Sequence, residues 1–118
     1  MDTENALLAL DALAQPTRLA IFRRLVAAGP GGMPAGAIAD AVEGRQNTVS
    51  THLSALARAG LVTATREGRV IRYCASYATA GALVAFLLED CCGGRAEVCA
   101  PLLANLQCLQ PEPEACCA

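Results

Sequence analysis

Apolar residues recur at three- and four-residue intervals from Leu7 to Leu56, and directly after Gly60 the rhythm turns to alternation. A period near 3.6 marks a helix with one buried face; a period of two marks a half-buried strand. A chain with this change of rhythm is mainly α with one small β-hairpin. Composition agrees, because aromatics are only 3% and Trp is absent, so the core is built from Leu, Val, Ile and Ala. That set suits packed helices better than a sheet sandwich. The 118 residues fit one folded domain.

In chain order, Leu7, Leu10, Leu13 and Ala14 place a first helix over 3–14, capped by Thr3 or Asp2. Pro16 opens a second helix at a position where a missing N–H costs nothing. Its apolar face is Leu19, Ile21, Phe22, Leu25 and Val26, and Gly29-Pro30-Gly31-Gly32 ends it. A short helix over about 35–42 turns Ile38, Ala39 and Val42 inward, and Gly44 breaks it. The fourth spans about 46–59, with Val49, Leu53 and Leu56 on one face and Gly60 as its stop. Residues 62–66 and 69–73 then form a hairpin around Glu67-Gly68. Residues 78–88 are helical again and apolar on nearly every side, the mark of a helix buried all round or shared with a second subunit. Gly93-Gly94, a short helix near 101–106 and a tail with Pro and Cys follow. The expected division is 1–92 for the helical and hairpin domain and 93–118 for a Cys-rich segment.

Helix, helix, turn, helix and hairpin in this order is the order of a winged helix-turn-helix. The fourth helix is then the recognition element. Its outward face carries Gln46, Asn47, Thr48, Ser50, Thr51 and His52, a hydrogen-bonding surface without a carboxylate. Such a surface can donate to phosphates and read base edges, whereas an ordinary solvated helix face mixes in Glu and Lys. Charge points the same way. The chain carries a net charge of −2, yet Gln15 to Tyr73 holds eight Arg against Asp40, Glu43 and Glu67. The positive charge therefore sits in the helix-turn-helix and wing. Arg66 and Arg69 flank the wing tip and are expected to contact DNA. Arg72 reads equally well as a contact or as edge-strand charge that blocks strand pairing.

Residues 12–73 resemble the arsenic-repressor (ArsR) family of bacterial winged-helix regulators. The likeness rests on Ala12-Leu13-Ala14-Gln15-Pro16-Thr17-Arg18-Leu19-Ala20-Ile21, on Asn47-Thr48-Val49-Ser50-Thr51-His52-Leu53 with Leu56 and Ala59-Gly60-Leu61-Val62, and on Arg66-Glu67-Gly68-Arg69 with Tyr73. Arg45 departs from it, since the family often has a capping Ser there, and the cap is expected to move to Asn47. The resemblance implies a homodimer built from the first and last helices. Leu7, Leu10, Leu83, Phe86 and Leu87 are the expected interface, and double-stranded operator DNA is the expected partner.

Seven cysteines remain: Cys74, and six in the last 28 residues, namely Cys91, Cys92, Cys99, Cys108, Cys116 and Cys117. The acidic start MDTEN is unlike a signal peptide, and the longest uncharged stretch, Tyr73 to Leu88, is too short and too polar to span a bilayer. A cytoplasmic protein without a membrane association is therefore expected, and its thiols are reduced. Residues 33–44 hold no Cys and residues 77–90 no His, so the family's sensing sites at those two places are absent. What remains is Cys91-Cys92-x6-Cys99, similar to the C-terminal arsenite triad of one branch of the family. Thiolate-only sets suit soft ions such as As(III) or Sb(III), and Gly93-Gly94 lets the chain double back. Cys74 reads as a small structural residue. Cys108, Cys116 and Cys117 stay open. The expected function is a non-enzymatic repressor released from its operator by As(III) or Sb(III), with no organic cofactor. Thiol oxidation and zinc, the latter with Cys108 as a fourth thiolate, are alternative signals. A non-regulatory arsenic carrier leaves residues 46–73 without a use.

Overall fold

Over the described residues 1–89, the computed structural model runs α1 (Thr3–Leu13), α2 (Pro16–Ala28), β1 (Met33–Pro34), α3 (Ala35–Ala41), α4 (Gln46–Arg58), β2 (Val62–Glu67), β3 (Val70–Ala75) and α5 (Tyr77–Glu89). Residues up to Leu83 form one compact unit; from Val84 the chain belongs to a second. Local chemistry sets the helix starts. Asp2, one of the two caps expected, accepts the Asn5 N–H at 2.8 Å. Gln15 caps α2 by accepting the Arg18 N–H at 2.8 Å, one residue before Pro16. The expected Asn47 cap on α4 is not found. Arg45 holds the extended cap backbone (φ −75°, ψ 140°) without a side-chain bond, and Asn47 already lies inside the helix. A cap must be extended, so a residue with helical dihedrals cannot serve.

The turn between α3 and α4 is tighter than its glycine indicated. Glu43, not Gly44, takes the left-handed conformation (φ 54°). The Gly44 N–H donates to the Ala39 carbonyl at 3.0 Å, closing the end of α3. Gly44 is required for another reason: a Cβ there would stand 2.9 Å from Val49 Cγ2, closer than carbon atoms pack. Gly60 is a conformational glycine (φ 79°) that ends α4 as expected and delivers the chain to β2.

The hairpin is longer than its alternation indicated and turns at Gly68-Arg69, with Glu67 opposite Val70 and Val62 opposite Ala75. A third strand joins it. Met33 and Pro34 pair antiparallel with Tyr73 and Arg72, giving the order β1-β3-β2. Two residues carry no period, so this strand had no signature in the sequence.

Ile21, Leu25, Ile38, Val49, Leu53, Leu56 and Leu61 are fully buried, drawing α2, α3 and α4 into one core. Each buried aliphatic side chain contributes about 1.5–3 kcal/mol. On α1 the buried residues are Ala6, Ala9 and Ala12, while Leu7 is 60% and Leu10 37% exposed. Small side chains let α1 lie close against its neighbours, and its leucines project outward. Leu83, expected between subunits, is only 6% exposed within the single chain and belongs to its own core. A helix apolar all round gives no sequence signal for which residue its own chain covers.

Candidate nucleic-acid interface

Helix α4 is anchored on one side and bare on the other. Val49, Leu53 and Leu56 fix α4 in the core, and Gln46, Asn47, Thr48, Ser50 and Thr51 are exposed. This follows from helical geometry, since residues three and four apart share a face. The exposed face begins at the N-terminus, where the helix dipole and free N–H groups favour anions. No acidic residue occupies that first turn and no side chain caps it. The Thr51 hydroxyl donates to the Asn47 carbonyl at 3.0 Å, so its proton is used within the helix and its oxygen faces out as an acceptor.

His52 departs from the expectation of a fully outward residue. It is half-buried and turned toward α2, where its Nδ1 accepts the Arg18 Nε–H at 3.3 Å. Helical phase explains this, because His52 is adjacent to the buried Leu53 and lies at the edge of the polar face. Arg18 counted in the sequence only as one of many cations. Its pairing spans 34 residues, which no local pattern could disclose.

The wing shows a division of labour among its arginines. Arg72 lies two residues beyond Val70, the register partner of Glu67, so both side chains leave the same sheet face. Arg72 Nε donates to Glu67 Oε1 at 2.6 Å and Nη1 donates to the Gly31 carbonyl at 3.3 Å. It ties the hairpin to the loop before β1 through two of its five donors. Arg66 and Arg69 are exposed and have no ion pair among the described residues. The charge of Arg66 and Arg69 is therefore available, and that of Arg72 serves the hairpin itself. Cys74 behaves as a structural residue, its Sγ–H donating to the Pro30 carbonyl at 3.4 Å.

Of the expected interface between copies, Leu7, Leu10 and Leu87 are exposed, Phe86 is half-buried and Leu83 is internal. Cys91, Cys92 and Cys99, with Cys108, Cys116 and Cys117, lie outside the described residues. Among the described residues no cluster of metal-binding side chains occurs, and no helix is long and apolar enough to cross a membrane.

The sequence and fold match known proteins. Residues 13–64 match the model of a helix-turn-helix domain family. NolR from Sinorhizobium fredii is 34% identical, with 74% of this chain and 85% of that one covered and a TM-score of 0.58. An ArsR-like transcriptional regulator from Rhodococcus sp. RHA1 is 28% identical over 86% of this chain and 89% of its own, at a TM-score of 0.66. The chain is an ArsR-like winged helix-turn-helix protein. Another relative, the homodimeric winged helix-turn-helix DNA-binding domain Mb0332 from Mycobacterium bovis, is 28% identical, covering 76% and 82% of the two chains at a TM-score of 0.61. No curated protein matches the chain. The chain is accordingly a DNA-binding transcriptional regulator.

Proposed function

We infer that this regulator is a homodimeric repressor that holds operator DNA through α4 and the wing and releases it when As(III) or Sb(III) binds Cys91, Cys92 and Cys99. The observation that carries the reading is the pairing of a bare, carboxylate-free recognition helix with a Cys-Cys-x6-Cys segment directly after α5. Three thiolates match a soft, three-coordinate metalloid, which forms three As–S bonds as three hydroxyls leave as water. Cys91 and Cys92 are adjacent in the chain, and the short span through Gly93-Gly94 to Cys99 closes at small entropic cost.

Dimerisation is supported by the leucines on α1, since Leu7, Leu8 and Leu10 are all exposed in the single chain. The Mycobacterium bovis relative is homodimeric. The start of α5 is held to the turn that follows α4. The Ser76 N–H donates to the Leu61 carbonyl at 2.8 Å, and the Ser76 hydroxyl accepts the Thr79 N–H at the start of the helix. Tyr77 Oη adds a bond to the Val26 carbonyl at 3.0 Å. A hundredfold drop in DNA affinity needs only about 2.7 kcal/mol of coupling.

Operator release titrated separately with arsenite, zinc and peroxide on reduced full-length protein tests this reading. Arsenite is expected to release DNA at one equivalent per chain, and Cys91→Ser, Cys92→Ser or Cys99→Ser to abolish release while leaving operator binding intact. Release by zinc or peroxide alone would replace the inducer, and release unchanged in all three variants would remove these cysteines from the site.

A further inference from the structure

We propose that Arg18 is a positioning residue for base reading, holding His52 as a pure hydrogen-bond donor toward DNA. The inference rests on α4 being the helix that reads DNA. Arg18 sits in the first turn of α2, where Pro16 and the Gln15 cap fix the backbone and Gln15 Oε1 binds the Arg18 N–H itself. From there its Nε–H reaches His52 Nδ1 at 3.3 Å, with both side chains partly buried. A guanidinium has donors only, so Nδ1 must be the acceptor and the ring proton lies on Nε2.

An imidazole held this way offers its far side one N–H and no acceptor. In the major groove that donor suits guanine N7 or O6, adenine N7 or thymine O4, and it is left unpaired against the amino group of cytosine. A histidine free to rotate or to change tautomer accepts either partner and discriminates less. Asp11 and Arg58 line the same shallow groove as Arg18, yet the only ion pair among the described residues is Arg72–Glu67. Arg18 is thus directed to the imidazole, across α2 and α4, and not to the carboxylate of α1.

Two measurements on the full chain test this. His52 is the only histidine, so its ring nitrogens are read without ambiguity in long-range ¹⁵N–¹H spectra. The Nε2–H tautomer is expected, with Nδ1 shifted by its hydrogen bond and that shift lost in Arg18→Met. A protonated Nδ1 in the unaltered protein overturns the proposal whatever the variants do. Binding is then measured to the duplex that the protein itself selects from a random-sequence pool. His52→Ala and Arg18→Met are each expected to weaken it about tenfold, the size of a single base hydrogen bond. The double variant should be no weaker than either, and the slope of log affinity against log salt should not move. Additive losses, or a slope smaller by about one in Arg18→Met, make Arg18 a phosphate contact and overturn the proposal. Arg18→Lys, which keeps the charge without the planar Nε–H, should bind like Arg18→Met; full affinity in Arg18→Lys also overturns it. Should Arg18→Met fail to fold by circular dichroism, Arg18→Lys and the ring spectrum decide. Failure of the α4 reading looks different: His52→Ala then binds the selected duplex undiminished while the ring spectrum still reports the bond, and the contact is structural only.

Discussion

At the scale of single residues, the interface separates side chains by what they have left to give. The Asn47 and Ser50 side chains are exposed with no hydrogen bond among the described residues, Thr51 has used its proton, and Arg72 has used its Nε–H and one Nη1–H. Replacing Asn47 or Ser50 by Ala is therefore expected to cost about 1–3 kcal/mol for each base left without its hydrogen bond. The loss should fall on the preferred sequence and leave binding to unrelated DNA unchanged. Arg69→Ala should behave in the opposite way, weakening all DNA together and lowering the salt slope by about one. Gel-shift titrations across salt concentrations separate the two, and a uniform loss in Ser50→Ala would show that this residue meets phosphate and not a base.

At the scale of elements, the wing is held by a bond between its two strands. The Arg72–Glu67 pair is 39% and 54% exposed, so as an ion pair it contributes about 1 kcal/mol or less to stability. Its importance is directional, because the same arginine also holds the Gly31 carbonyl in the loop before β1. Arg72→Ala should leave the melting temperature within a few degrees of the unaltered protein. It should speed hydrogen exchange at the amides of β2 and β3 and weaken DNA binding with little change in sequence preference. Unchanged exchange in the hairpin would mean that register alone aims the wing.

At the scale of the whole molecule, one chain leaves leucines uncovered on α1 and encloses Leu83. Opposite consequences follow from the same substitution at the two places. Leu7→Glu should yield a folded monomer, since Leu7 is 60% exposed before any partner arrives. Leu83→Glu should instead unfold the chain, because it buries an unpaired carboxylate inside a single subunit. Light scattering with circular dichroism distinguishes the cases. A Leu7→Glu protein that remains a dimer would exclude this face of α1 from the interface.

Most of the fold was determined by features a few residues wide. Pro16, Gly60 and the Val49, Leu53 and Leu56 spacing are local, and so the helices, the hairpin and the polar face of α4 were legible without coordinates. Charge segregation was legible too, because it needs only a count along the chain. What tertiary structure alone decided is every feature made by residues far apart. The β1 strand exists only because β3 offers it an edge, and which face of α1 is covered, alanine or leucine, is settled by the elements packed against it. Gly44 is required by a methyl group of Val49, not by its own dihedral. The same holds at the interface. Residue type marked His52 as able to donate or accept, and only a guanidinium 34 residues away in the chain determines which.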